Sequence, residues 1–227
     1  MNSKKLFSIS LLAVLFLAIG TIVYQKENNE KWFGKKSGTS ETKSAFGEFQ
    51  NGDIIFQASL SKQSKAIQLA THSEWSHCGI IYKEGAQYFV YEAVQPVKLT
   101  PLEKWIARGE GQRYVVKRLK NAEAVLTPEV LHKMKQEGEK FTGKDYDIYF
   151  EWTDEKIYCS ELIWKIYKEA TGLELGVLEQ LKDFDLTNKI VQSKMKERYG
   201  EKIPMEEKVI SPVEIFNSSL LVLVKED

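Results

Sequence analysis

Residues 77–94 read HCGIIYKEGAQYFVYEAV. Two β-rich runs, HCGIIY (77–82) and QYFVYEAV (87–94), flank a glycine-containing turn, which is the pattern of an antiparallel hairpin. With Glu84-Gly85 as a two-residue loop, Lys83 faces Ala86, Ile81 faces Tyr88, Gly79 faces Val90 and His77 faces Glu92. Directly opposed residues project from one face. The register therefore joins an isolated base to the one charge in the apolar run YFVYEAV. A carboxylate beside one ring nitrogen fixes the tautomer and leaves the other nitrogen free to take a proton. The plain alternative is a surface histidine with a rim glutamate, and a one-residue slip would part the two side chains. Cys78 alternates with His77, so it is expected on the opposite face with Ile80 and Tyr82, as a packed core thiol.

Working outward, GDIIFQ (52–57), RYVVKRL (113–119) and SLLVLV (219–224) read as strands. KAIQLATH (65–72) has roughly helical spacing. TPLEKWIAR (100–108) begins with a capping box, with Thr100 as N-cap, Pro101 at N1 and Glu103 at N3. TPEVLHKMKQEGEKF (127–141) starts another helix, and SPVEIF (211–216) repeats the capping-box pattern with Ser211 and Glu214. Helices and antiparallel strands segregate rather than alternate, which favours an α+β class over a doubly wound sheet.

One of only two cysteines opens the helical stretch CSELIWKIYKEATG (159–172). Leu162, Ile163, Ile166 and Ala170 follow Cys159 at i+3, i+4, i+7 and i+11, tracing one apolar face. Cys159 is then either a small core hydrophobe at the head of that stripe or a nucleophile. Unsatisfied N–H groups and the helix dipole favour a thiolate at this position. The same N–H groups could hold an oxyanion. Of three histidines, His132 lies among lysines and glutamates on a surface helix, His72 ends a helix, and His77 opens the hairpin. A metal site from His72, Glu74, His77 and Cys78 matches no recognised zinc spacing.

The whole chain has 227 residues, 43% hydrophobic content and equal totals of 32 basic and 32 acidic residues. A sizeable core is affordable, and no basic stripe supports nucleic-acid binding. Lys4 and Lys5 precede the uncharged run Leu6–Tyr24, which is about long enough to span a bilayer. Residues 1–24 are expected to be a membrane anchor or a cleaved export signal, with the remainder exported. Residues 25–45, rich in Lys, Glu, Asn, Ser, Thr and Gly, read as a solvated tether. The globular domain is expected over 46–227.

His77-Cys78-Gly79, Glu92 in YEAV and Tyr158-Cys159-Ser160-Glu161 occur in that order. Together with GDIIF, KAIQLATHSEWSH, GKDYD (143–147), LKDFDL (181–186) and KERYG (196–200), they resemble the permuted papain-like amidases of the YiiX and YaeF group, nearest to the YiiX type. These belong to the NlpC-like cysteine peptidase superfamily, and the likeness covers nearly everything after Gly52. The histidine preceding the cysteine matches the permuted order. The resemblance implies a circularly permuted papain-like fold, with a cysteine helix packed on a small antiparallel sheet or half-barrel. It implies Cys159 as nucleophile, His77 as general base and then acid, and Glu92 as the orienting third residue. Tyr158, standing where unpermuted relatives usually have aspartate, and Tyr146 are candidates for the oxyanion site or substrate groove.

The expected chemistry is thiol hydrolysis of an amide or related acyl bond in a cell-envelope component, with no metal or organic cofactor. A lipid acyl hydrolase or acyltransferase of the same fold, or a non-catalytic peptide- or lipid-binding module, are the alternatives. Trp75, Tyr146, Tyr149, Phe150 and Trp152 could line a groove for acyl matter or could be core.

Overall fold

The computed structural model describes residues 49–227. The expected segments 1–24 and 25–45 lie outside the described residues, and no described helix is long and apolar enough to cross a membrane. The strands are β1 (Ile54–Gln57), β2 (His77–Glu84), β3 (Gln87–Glu92), β4 (Lys98–Pro101), β5 (Val115–Leu119), β6 (Glu179–Gln180), β7 (Lys208–Val209) and β8 (Leu221–Glu226). The helices are α1 (Lys62–Thr71), α2 (Leu102–Ile106), α3 (Ala122–Val125), α4 (Pro128–Glu139), α5 (Cys159–Thr171), α6 (Lys189–Tyr199) and α7 (Pro212–Asn217).

Six strands form one sheet in the order β4-β3-β2-β1-β5-β8, and β6 and β7 pair separately. β1 is central, antiparallel to both β2 and β5, with Gln57 opposite His77. All four of its residues are buried, as a strand covered on both faces requires. Alternation sends Ile55, Ile81 and Val116 to one face, where they pack with Leu102 and Trp105 of α2. The opposite face carries Phe56, whose ring meets Phe216 of α7, and Tyr82 against Tyr91. α5 lies on this side: its Tyr167 hydroxyl donates to the Gly52 carbonyl just before β1. The apolar stripe of α5, Leu162, Ile163, Ile166 and Ala170, is buried, and Gly172 ends the helix in the left-handed region. This is an α+β fold with the cysteine helix on an antiparallel sheet.

Two local expectations shift. β2 runs through Glu84 and β3 starts at Gln87, so the hairpin loop is Gly85-Ala86. Gly85 takes φ 60°, and glycine at the first central position is what a II′ hairpin turn demands. Moving both loop residues one place along shifts the pairing by an even number, so face parity survives. Thr100 is not the cap of α2. It pairs with Val90 in β4, the N-cap position falls on Pro101 without a side-chain bond, and the Thr100 hydroxyl donates to Glu92. A charge-assisted bond to a buried carboxylate outweighs an exposed cap. α6 buries only Val191 and Met195, too few apolar positions to announce an amphipathic helix. The remaining caps follow the sequence, with the Ser211 hydroxyl accepting from Glu214 N–H at 3.3 Å and that of Thr127 from Val130 N–H at 3.4 Å.

Asp53, 1% exposed, ties the start of β1 to β5. It accepts from Arg118 Nε and Nη2 at 2.7 and 2.8 Å and from Gln50 N–H at 2.8 Å. Removing one member of a buried pair leaves the other uncompensated. Asp53→Ala should lower stability by about 3 kcal/mol, read as a lower urea midpoint with little change in slope.

Candidate active site

His77 stands at the first residue of β2 and Glu92 at the last of β3, so the hairpin brings both to one end of the sheet. His77 Nε2 lies 2.6 Å from Glu92 Oε2. The other carboxylate oxygen, Oε1, accepts from Thr100 Oγ1 at 2.6 Å and from Arg108 Nη2 at 2.5 Å. Glu92 is wholly buried. Burial alone would raise its pKa, but the bond and charge of His77, with Thr100 and Arg108, hold it below the ordinary carboxylate value. The Trp105 ring stacks on the imidazole at 5.7 Å and 23°, closing it from water on that side.

Because Nε2 is taken by Glu92, Nδ1 is the nitrogen left for Cys159, whose proximity is a main cause of the raised imidazole pKa. Cys159 is the first residue of α5 and is buried. A hydrogen bond from Cys78 is the largest influence on its thiol. Burial opposes it, and the bond and charge of His77 add to it, so the pKa falls well below the ordinary thiol value. For His77, burial pulls the pKa down, but the bonds to Cys159 and Glu92 outweigh it and raise the pKa to about 9. Both directions favour a thiolate beside an imidazolium, the arrangement a cysteine nucleophile and its acid require.

Cys78 departs from expectation. Its thiol and its backbone N–H both lie close enough to the Cys159 sulfur to lower the pKa there. Backbone N–H groups lie in the plane of a sheet, so a sulfur placed there sits between the two faces. Neighbouring side chains of a strand's first residues can then both reach it. Burial and the Cys159 charge drive the Cys78 thiol well above its ordinary pKa, and the two cysteines are free.

The two candidate tyrosines differ. The Tyr146 hydroxyl receives the Gln63 Nε2 bond at 3.2 Å; burial, then the nearby Cys159 charge, raises its pKa well above the ordinary value. Tyr158 occupies the N-cap of α5, accepts the Ile210 N–H at 3.1 Å and packs edge-on against Phe150. Its hydroxyl is engaged in holding the chain before α7. Of the other aromatics, Trp75 stacks on Phe216, Tyr149 meets Tyr199 and Trp152 meets Trp164. Only Tyr146 and Phe150 of that set line the cavity beside the cysteine.

Two unlike spaces flank the pair, one lined by Cys159 and the other by His77. On one side lies an apolar cavity walled by Ile67 of α1, Leu181, Phe184, Leu186, and Val191 and Met195 of α6. On the His77 side lies a cleft lined by polar groups including Gln57, Ser59, Ser76 and Arg108. Tyr146, Gln63 and Ile67 border both. The sequence marked Thr100 only as a helix cap and gave Trp105, Arg108 and the apolar residues of α6 no role at the site. Their roles come from long-range placement, and no short-range pattern marks them.

The profile of the family described as "Permuted papain-like amidase enzyme, YaeF/YiiX, C92 family" matches residues 48–225. YiiX of Escherichia coli (strain K12), itself an uncharacterized protein, is 48% identical over 178 residues, covering 78% of this chain and 87% of the relative. A crystal structure of YiiX from Escherichia coli O157:H7 superposes with a TM-score of 0.74 at 49% identity, covering 78% of this chain and 97% of that one. That relative is described as a metalloprotein. Among the described residues of this chain, no group of three or more His, Cys, Asp or Glu side chains is placed to hold a metal ion, and no step below runs through one.

The pair has a defined pH window. The raised pKa of His77 means its stabilising contribution is full below pH 6.5 and lost as pH rises through about 9. The depressed pKa of Cys159 means its contribution is present above the ordinary thiol value of 9.0 and lost as pH falls through its folded pKa. Alkylation of Cys159 should therefore already be fast at pH 6–7, with Cys78 protected. His77→Ala should move the Cys159 reactivity midpoint upward. Peptide mass spectrometry after timed alkylation across pH reads both cysteines at once, and equal slow rates would sink the ion-pair assignment.

Proposed function

The chain belongs to the permuted papain-like amidase family of YaeF and YiiX, and from that premise we propose that it is a cysteine hydrolase acting through Cys159, His77 and Glu92. The observation that carries this is His77 held between a buried carboxylate at 2.6 Å and the depressed-pKa Cys159 thiol. In the proposed cycle the Cys159 thiolate attacks the substrate carbonyl carbon. N–H groups at the start of α5, with the Tyr146 hydroxyl, bond the developing oxyanion. The C–N bond then breaks, and His77 gives its proton to the leaving nitrogen. A water enters, His77 takes its proton, and the hydroxide attacks the thioester carbonyl. The released acid leaves the thiolate–imidazolium pair restored. Glu92 accepts the hydrogen bond from Nε2–H throughout, stays ionised, and keeps Nδ1 aimed at the sulfur.

The proposed substrate is an acyl compound of the cell envelope, peptide or lipid, to which residues 1–24 would confine the enzyme as export signal or anchor. The cavity beside Cys159 favours the lipid version, since Leu181, Phe184, Leu186 and Met195 offer hydrocarbon to an acyl chain and no hydrogen bonds to a peptide. Acyl transfer to an amine or alcohol would share the thioester, and a non-catalytic binder would retain ligand after loss of the thiol.

With short- and long-chain N-acyl amides as substrates, Cys159→Ala and His77→Ala should each reduce turnover by on the order of 10⁴-fold while the protein stays folded. The kcat/KM profile should fall on its alkaline side near pH 9, where His77 loses the proton the leaving amine needs. A Cys159→Ala protein that keeps its biological role would replace the hydrolase with a binding module.

The two tyrosines separate chemistry from architecture. Tyr146→Phe should lower kcat by about 10²-fold with unchanged stability. Tyr158→Phe should leave kcat near wild type and reduce stability by about 1–3 kcal/mol, because the buried Ile210 N–H loses its acceptor. Paired kinetics and urea titrations check both.

A further inference from the structure

The cleft on the His77 side has a chemistry of its own. Resting on the hydrolase reading above, the acyl part of a substrate takes the apolar cavity, and the leaving part must lie where His77 can protonate it. Arg108 gives that side its charge. Its Nη2 is bound to Glu92 at 2.5 Å, its side chain is 43% exposed, and among the described residues its guanidinium makes no other hydrogen bond. The backbone carrying it is fixed to the end of β1, because Gly109 bridges Ser59 and the Glu110 N–H donates to the Ala58 carbonyl at 2.8 Å.

Gln57 is built into the same wall. It is the register partner of His77, 1% exposed, and its Oε1 has no hydrogen-bond partner among the described residues. Gly109 makes room for its carboxamide, since a β-carbon there would stand 2.4 Å from Oε1. A buried polar atom left unpaired in the wall of a cleft is a place for a ligand to complete. Apart from Glu92, which His77 and Arg108 already neutralise, no carboxylate borders this space. Among the described residues, Arg108 is the one Lys or Arg side chain lining it.

The geometry points to a leaving-group subsite for an amine that carries an oxyacid anion, with Arg108 pairing the anion and Gln57 making the polar contact beside His77. Carboxylate and phosphate share this chemistry, and a guanidinium fork fits either. An amino acid or peptide would supply the first, a phosphorylated headgroup the second.

The test uses maleimides that differ only at the tip of a short flexible arm, ending in carboxylate, phosphonate or neutral carboxamide. Their rates at Cys159 are measured by peptide mass spectrometry on the full chain, for wild type, Arg108→Gln and Arg108→Lys. One anionic tip should react at least about fivefold faster than the carboxamide in wild type, a ratio that shrinks with salt. Arg108→Gln should bring the ratio to near one and Arg108→Lys should keep most of it, and the favoured tip names the oxyacid. Because Arg108 also supports Glu92, the ratio and not the absolute rate is the readout. A wild-type ratio near one, a ratio indifferent to salt, or a ratio kept in Arg108→Gln overturns the subsite. Slow reaction of Cys159 with every tip sinks the hydrolase reading and the subsite together, whereas a fast Cys159 blind to the tip sinks the subsite alone.

Discussion

Taking a carboxylate out of water costs several kcal/mol unless its lone pairs are all met, and Glu92 has no solvent exposure. Three donors from three separate places offset that cost: His77 from β2, Thr100 from β4 and Arg108 from the loop after α2. The sheet order places β2, β3 and β4 side by side, so one carboxylate links three neighbouring strands and the chain that follows them. The imidazole cannot turn without breaking a charged bond, and its far face is closed by Trp105. Fixing the ring in this way is what lets Nδ1 meet the cysteine, so the placement of a single acid governs both local folding and the chemistry.

The fold class and the three residues at the centre were readable because each has a local signature. The α5 stripe has period 3.6, the hairpin has period 2, and Glu92 is an isolated charge in an apolar run. Parity protected the His77–Glu92 pairing even though the loop lies one residue later than Glu84-Gly85. Residues whose partners are distant in sequence were not readable. Thr100 satisfies a capping-box pattern with Glu103, yet strand pairing with Val90 claims its backbone and Glu92 its hydroxyl. Cys78 obeys alternation in direction, but its backbone N–H lies in the sheet plane that Cys159 occupies, and side-chain parity carries no information about main-chain donors.

The contrast between the two sides of Cys159 follows from which elements reach it. α1 and α6 present hydrocarbon, and Val191 and Met195, too sparse to mark α6 as amphipathic, are enough to close a cavity. The opposite side is built from strand ends and connecting loops, where unpaired main-chain groups and short hydroxyl side chains concentrate. Hence Ser59 N–H bonds Ser76 Oγ at 3.0 Å and Ser76 N–H bonds the Gln57 carbonyl at 3.2 Å. On the proposed hydrolase reading, a substrate apolar on its acyl side and polar on the other would be complementary to such a site. A uniformly polar peptide would leave the first side unsatisfied.

Glu161 bears on whether α5 can support a thiolate at all. It sits at N3, fully buried, reaches back to the Tyr158 N–H and lies 2.8 Å from Lys165. A charged carboxylate two residues from Cys159 would favour the helix terminus but oppose the anion on sulfur. Burial raises the Glu161 pKa to about 8, and Lys165 does not reverse it. The negative charge that would oppose a thiolate at the positive end of α5 is therefore disfavoured. The same desolvation that excludes water from Cys159 silences the negative charge nearest to it in sequence. Burial thus serves activation here as well as packing, through a residue that the cycle itself never uses.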